Sequence, residues 1–167
     1  MSDFLMTSWD GAGATPPLMS VARALVERGH RVRVLADVVL RPDVEATGAE
    51  HLSWTRAPQR TVRRGEGHFV RDWEPQDPAD AFGRMRDRLA VGPAKRFAAD
   101  VCEEIERRPP AAVLTELFLF GPLVAAEAAG VPAIVLNPTI NVVPAPGVPP
   151  FGYGFMPPRT PEEEALH

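Results

Sequence analysis

Short runs that are apolar at every position alternate along this chain with longer stretches in which apolar residues recur every three or four positions. Phe4 to Trp9 is apolar on both faces, as in a central parallel strand covered by helices. Asp10 to Thr15 is a Gly-rich turn. Thr15 is placed to cap the next helix, and Pro16 or Pro17 fits its first turn, where no N–H is needed. Leu18, Val21, Ala22 and Leu25 then share one helical face, Arg28 suits the last turn, and Gly29 is a ready stop. Val32 to Ala36 is a second strand, with Asp37 just past its end. Pro42 to Thr47 reads as a short helix stopped at Gly48, and Glu50 to Trp54 as a third, edge-like strand.

From Thr55 to Pro78 no period holds, which predicts a long loop. It carries Arg56, Arg60, Arg63, Arg64 and Arg71, with Phe69 and Trp73 among them. Asp80 to Arg107 returns to helical spacing, and Pro93 must kink or split that helix. Ala111 to Thr115 is a fourth strand leading to Glu116. Leu119 to Ala129 is a helix stopped at Gly130, and Val131 to Leu136 a fifth strand. From Asn137 onward eight of the 19 prolines crowd an irregular tail, which ends in an acidic run, Glu162 to Glu164, of the kind that opens a helix. Strands alternating with helices predict an α/β fold with a parallel sheet and right-handed crossovers. The natural doubly wound strand order is 3-2-1-4-5, whose switch point lies between strands one and four. That order brings Trp9 to Ala14 and Glu116 to Phe118 to one crevice.

Composition narrows this picture only a little. The 167 residues are 45% hydrophobic and 24% charged, with net charge −4, ordinary for a globular domain and without a nucleic-acid footprint. Lys95 is the one lysine among 18 basic residues. Cys102 is alone, which leaves no disulfide framework and no cysteine metal site, and it reads as a packing residue. His30 reads as a helix-end residue, and His51 and His68 have no metal-ligand spacing. No apolar run approaches a membrane span or a signal peptide, so a cytoplasmic location is the expectation.

The turn DGAGATPP has three readings. It is a tight turn and nothing more; or Gly11 and Gly13 begin a dinucleotide loop with Asp37 as the ribose acid, although Pro16 replaces the third glycine; or it belongs to an acceptor site. The third follows from a resemblance. PPLMSVARALVERGHRVRVL and VLTELFLFGPLVAAEAAGVPAIVL together resemble segments of the inverting nucleotide-sugar glycosyltransferases of GT-B fold that act on macrolides and other natural products. The resemblance implies that residues 1–140 form a Rossmann-like acceptor-binding domain, one half of that architecture. Residues 141–167 would lead toward a C-terminal donor-binding domain beyond His167. It also implies a nucleotide sugar as co-substrate in place of a cofactor, and an isolated chain that transfers nothing by itself.

Many such enzymes use a His in the first turn as the base that deprotonates the acceptor hydroxyl, oriented by an acid at the end of strand four. Glu116 stands at the acid position, and Ala14 stands where the imidazole is expected. The resemblance therefore shifts the base to Asp10, with Glu116 across the crevice as the like charge that tunes it; the alternative is a non-catalytic homologue that only binds. Trp9, Gly11, Gly13, Ala14, Phe69, Trp73, Phe118, Asn137, Thr139 and Asn141 are the candidate acceptor contacts for a small, largely hydrophobic molecule. For Phe120 core packing is the expectation, and for the arginine cluster a solvated surface.

Overall fold

The computed structural model describes residues 1–63, 65–138, 145, 147–149 and 155–165. Thr139, Asn141 and Arg64 lie outside the described residues. Five parallel strands, β1 (Asp3–Thr7), β2 (Arg31–Ala36), β3 (Glu50–Ser53), β4 (Ala112–Glu116) and β5 (Ala133–Leu136), form one sheet in the order β3-β2-β1-β4-β5. This is the expected doubly wound, Rossmann-like arrangement. Register places Phe4 beside both Val32 and Ala112, and Met6 beside Val34 and Leu114, so β1 lies at the centre with β2 and β4 on either side.

The two-residue period of the strands divides the core. Leu5, Leu35 and Val113 face one way, with Trp54, Phe97, Val101 and Leu119. Met6, Val34 and Leu114 face the other, with Leu18, Ala22, Leu40 and Val44. The first layer belongs to α4 (Ala94–Arg107) and α5 (Phe120–Ala128), the second to α1 (Thr15–Glu27) and α2 (Arg41–Glu45). Helix α3 (Pro78–Met85) is capped by the Asp77 side chain, and α6 (Pro161–Glu164) by Thr160 in front of the expected acidic run. Between α3 and α4 the predicted break at Pro93 begins earlier, as a π-helical turn over Arg86–Ala90.

Two local expectations change. The Thr15 hydroxyl caps nothing: the N-cap is Ala14, without a side-chain bond, and Thr15 is already helical. Glu116 belongs to the strand itself rather than following it. The turn glycines also serve differently from a flexible hinge. Neither Gly11 nor Gly13 has a left-handed φ. Gly11 is required because a Cβ there would meet the Trp9 ring at 2.9 Å, whereas Gly13 has open space around it.

Long-range polar contacts fix the loop after β3. Asp100 of α4 accepts from the Thr55 hydroxyl at 2.7 Å and from the backbone N–H groups of Thr55, Arg56 and Ala57. Burial opposes the charge on Asp100, yet these bonds outweigh it and hold the carboxyl below its ordinary pKa. Cys102 packs half-buried against the first core layer. No helix among the described residues is long and apolar enough to cross a membrane.

Candidate functional site

The site is built at the C-terminal ends of β1, β2 and β4, where the connections diverge to opposite faces of the sheet. Three carboxylates gather there: Asp10, Asp37 and Glu116, all buried. Each is held by a different partner.

Glu116 reaches from β4 to the end of β1. Its Oε1 accepts from the Ser8 hydroxyl at 2.6 Å and from the Trp9 N–H at 3.3 Å. The Trp9 indole N–H lies toward the same carboxyl without closing a hydrogen bond of normal geometry. Burial is the main cause that pushes the Glu116 pKa up to about 7; the Ser8 and Trp9 donors work against it, and the nearby Asp37 charge adds to it. Beside them the Thr7 hydroxyl donates to Thr115 at 2.6 Å, closing the β1–β4 seam.

Asp37, at the end of β2, accepts the Asp10 N–H on Oδ2 at 2.8 Å and so fixes the turn after β1. Its Oδ1 is buried without a partner. Burial raises its pKa to about 6; the N–H groups of Asp10 and Arg60 oppose that rise, and the Asp10 charge reinforces it.

Asp10 is tied to the long loop. Arg60 Nη1 donates to Asp10 Oδ2 at 2.8 Å, and Arg60 Nη2 donates to the Arg63 carbonyl at 2.7 Å. Asp10 Oδ1 has no hydrogen-bond partner among the described residues. Each carboxylate takes a donor of its own, and the like charge that acts on Glu116 is that of Asp37 rather than the expected Asp10, whose charge acts on Asp37. Arg60, expected on a solvated surface, is 8% exposed and forms the inner wall of the site.

A cleft of about 680 Å³ opens beside Asp10, within the range of small-molecule sites. Asp10 and Arg60 form its head. Thr15, Met19 and Arg23 of α1 line one side, and Leu40 and Asp43 the other. A second, smaller hollow of about 200 Å³ lies between α1 and β5, with Pro17, Val135 and Asn137 on its walls.

The other predicted contacts spread over several surroundings. Trp9 is buried in the first core layer, and Ala14 is buried beneath the start of α1. Phe69 and Phe118 are half-buried against the first layer, while Trp73 is 53% exposed. Gly13 is exposed. Of the candidate catalytic and acceptor-binding residues that lie among the described residues, Asp10 alone lines the larger cleft.

His68 has no metal-ligand spacing in the sequence. The loop brings its ring edge-on to Trp9, 5.9 Å between centroids, and edge-on to Trp73 at 6.4 Å. Burial and the Arg60 charge lower its pKa, against the Asp72 and Asp10 charges. Its Nδ1 accepts the Val70 N–H at 3.3 Å. In the neutral ring this places the proton on Nε2, so His68 presents a donor here and does not replace the imidazole missing at position 14.

The turn is poorly suited to cradle a phosphate. Pro16 and Pro17 remove two of the N–H groups that a helix N-terminus offers to an anion. The Gly11 and Ala14 N–H groups are spent on the Trp9 and Gly11 carbonyls within the turn. Among the described residues no cluster of His, Cys, Asp and Glu is arranged to hold a metal ion.

Comparison with known proteins agrees with this architecture. No protein-family model matches the chain. Over 158 residues the sequence is 27% identical to 4'-demethylrebeccamycin synthase of Lentzea aerocolonigenes, a match covering 92% of this chain and 36% of the relative. Among solved structures, the glycotransferase of kitacinnamycin is 25% identical, with a TM-score of 0.61 over 83% of this chain and 30% of its own. The calicheamicin glycosyltransferase shares the fold at 21% identity, with a TM-score of 0.63 over 82% of this chain and 32% of its own. The resemblance to natural-product glycosyltransferases thus holds as a relationship of sequence and fold, and the chain spans about a third of the length of the proteins it matches.

Proposed function

We propose that this chain is the acceptor-binding half of a glycosyltransferase that moves a sugar from a nucleotide sugar to a hydroxyl of a small molecule, with inversion. Residues 1–140 form the acceptor domain in this reading, and the segment after them leads to a donor-binding domain. The observation that carries it is Asp10. It stands at the end of the central strand, on the wall of the cleft, with Oδ2 fixed by Arg60 and Oδ1 left for a ligand.

In the proposed reaction the acceptor hydroxyl gives its proton to Asp10 Oδ1 while its oxygen forms a bond to the anomeric carbon. The bond from that carbon to the phosphate breaks, and the nucleoside diphosphate leaves from the opposite face. Glu116 is a positioning residue: it holds the end of β1 through Ser8 and the Trp9 N–H. Met19 and Leu40 offer the acceptor an apolar wall.

The test is transfer by the chain joined to a donor-binding half, supplied with a nucleotide sugar and an acceptor. Asp10→Asn keeps the shape of the side chain and is expected to cut kcat by about 10²-fold or more. Full activity in that variant removes Asp10 as the base. Ala14, in place of an imidazole, favours a second reading in which the domain binds an acceptor without catalysis. Any sustained transfer by the joined protein dismisses it.

A further inference from the structure

The charges along the cleft are unevenly matched. Arg60 is paired with Asp10, and Arg63 donates to Asp43. Arg23, one turn beyond Met19 on the same stripe of α1, is exposed and forms no ion pair among the described residues. Two buried polar atoms of residues that line the cleft also lack partners: the Thr15 hydroxyl and Arg60 Nε. Thr15 is 7% exposed and Arg60 8%, so water compensates neither freely. Arg60 Nε can only donate, and a hydroxyl can donate as well. Apart from Asp10 Oδ1, the unpartnered groups of the cleft are therefore donors, and Arg23 adds one unpaired positive charge. Met19 and Leu40 beside it are apolar.

We propose that the cleft recognises its small molecule through an anionic group, a carboxylate or a phosphate, bound by Arg23 and the Arg60–Thr15 wall, with the apolar part of the molecule against Met19 and Leu40. This rests on the reading of the cleft as a substrate site and names the substrate class it takes. An arginine fork pairs with either anion through charge-assisted hydrogen bonds. The two sources are a carboxylate carried by the acceptor and the diphosphate of the donor.

The test is direct binding to the chain, followed on the arginine Nε–H and backbone resonances, with benzoate, its neutral isostere benzamide, and pyrophosphate. Benzoate is expected to bind about tenfold more tightly than benzamide, with the preference shrinking as salt is added. Arg23→Gln is expected to erase the preference, and Arg23→Lys to keep part of it; Arg23 is exposed and holds no fold contact by ion pair, so both variants should fold. Pyrophosphate bound more tightly than benzoate, with the same dependence on Arg23, assigns the anion to the donor. The reverse order assigns it to the acceptor. Equal binding of benzoate and benzamide, or a preference that survives Arg23→Gln, overturns the anion site and leaves the transfer assay untouched. Intact discrimination in a joined protein that never transfers refutes the transferase reading alone.

Discussion

The three carboxylates at the site do not share one environment, and the differences are measurable. Glu116 is buried and titrates near 7. A carboxyl whose folded pKa lies above its unfolded value binds its proton more tightly in the folded state. Its stabilising effect is complete below the unfolded pKa and is lost as pH rises through the folded one. For Glu116 that window runs from its ordinary value of 4.5 to about 7, and Asp37 adds a loss of the same sign from 3.8 to about 6. In denaturant unfolding between about pH 5 and about pH 8 these two carboxyls therefore cost stability as pH rises, against a gain from His51 and His68, whose lowered pKa values act in the opposite sense. Glu116→Gln, which keeps an acceptor for the Ser8 hydroxyl, is expected to flatten that slope by up to ~1.4 kcal/mol per pH unit between those limits. A variant with the wild-type slope would mean that Glu116 is not the titrating group. Glu116 and Asp10 were legible in sequence because acids at the ends of central strands fall at the switch point. Arg60 was not, since it lies in a stretch without period and only the path of the loop turns it inward. Thr15 offered a cap by its type and position, but Ala14 continues the preceding turn straight into the helix and leaves that hydroxyl nothing to cap.

At the scale of elements, the sheet order followed from the alternation of apolar runs and helical stripes, since each strand needed cover on both faces. The contact between α4 and α5 was not visible that way. It depends on Gly121, at whose Cα the α4 backbone approaches: a Cβ there would lie 2.3 Å from the Ala94 carbonyl oxygen and 2.7 Å from Phe97 Cβ. Because the nearest atom is backbone, the helices themselves must separate to admit a methyl. Gly121→Ala is expected to cost about 1–3 kcal/mol in denaturant unfolding, despite the better helix propensity of alanine. An alanine variant as stable as the parent would show that the helix pair yields without loss. The π-helical turn before α4 has a similar origin, since a Cβ at Gly92 would overlap the Asp87 carbonyl. Pro93 in sequence signalled a break, but a glycine one residue earlier allows the tighter approach that places it.

For the whole molecule, the long excursion between β3 and α3 is the part that neither period nor resemblance described, and it supplies Arg60 and Arg63 to the cleft. It is secured at its start, by Asp100 gathering Thr55 to Ala57 and by Arg60 reaching Asp10. Farther along, Arg71 is exposed and holds a left-handed φ of 55° that a side chain adopts reluctantly. The two ends of this excursion should therefore differ in their resistance to a protease. Trypsin in limiting amount is expected to cut after Arg71 well before Arg60, whose guanidinium is enclosed by Asp10 and the Arg63 carbonyl. Mass spectrometry of the first products decides this, and early cleavage at Arg60 would show that the inner anchor opens readily. A chain nicked only after Arg71 keeps every contact that holds Asp10, so the cleft should outlast the loop that helped to build it.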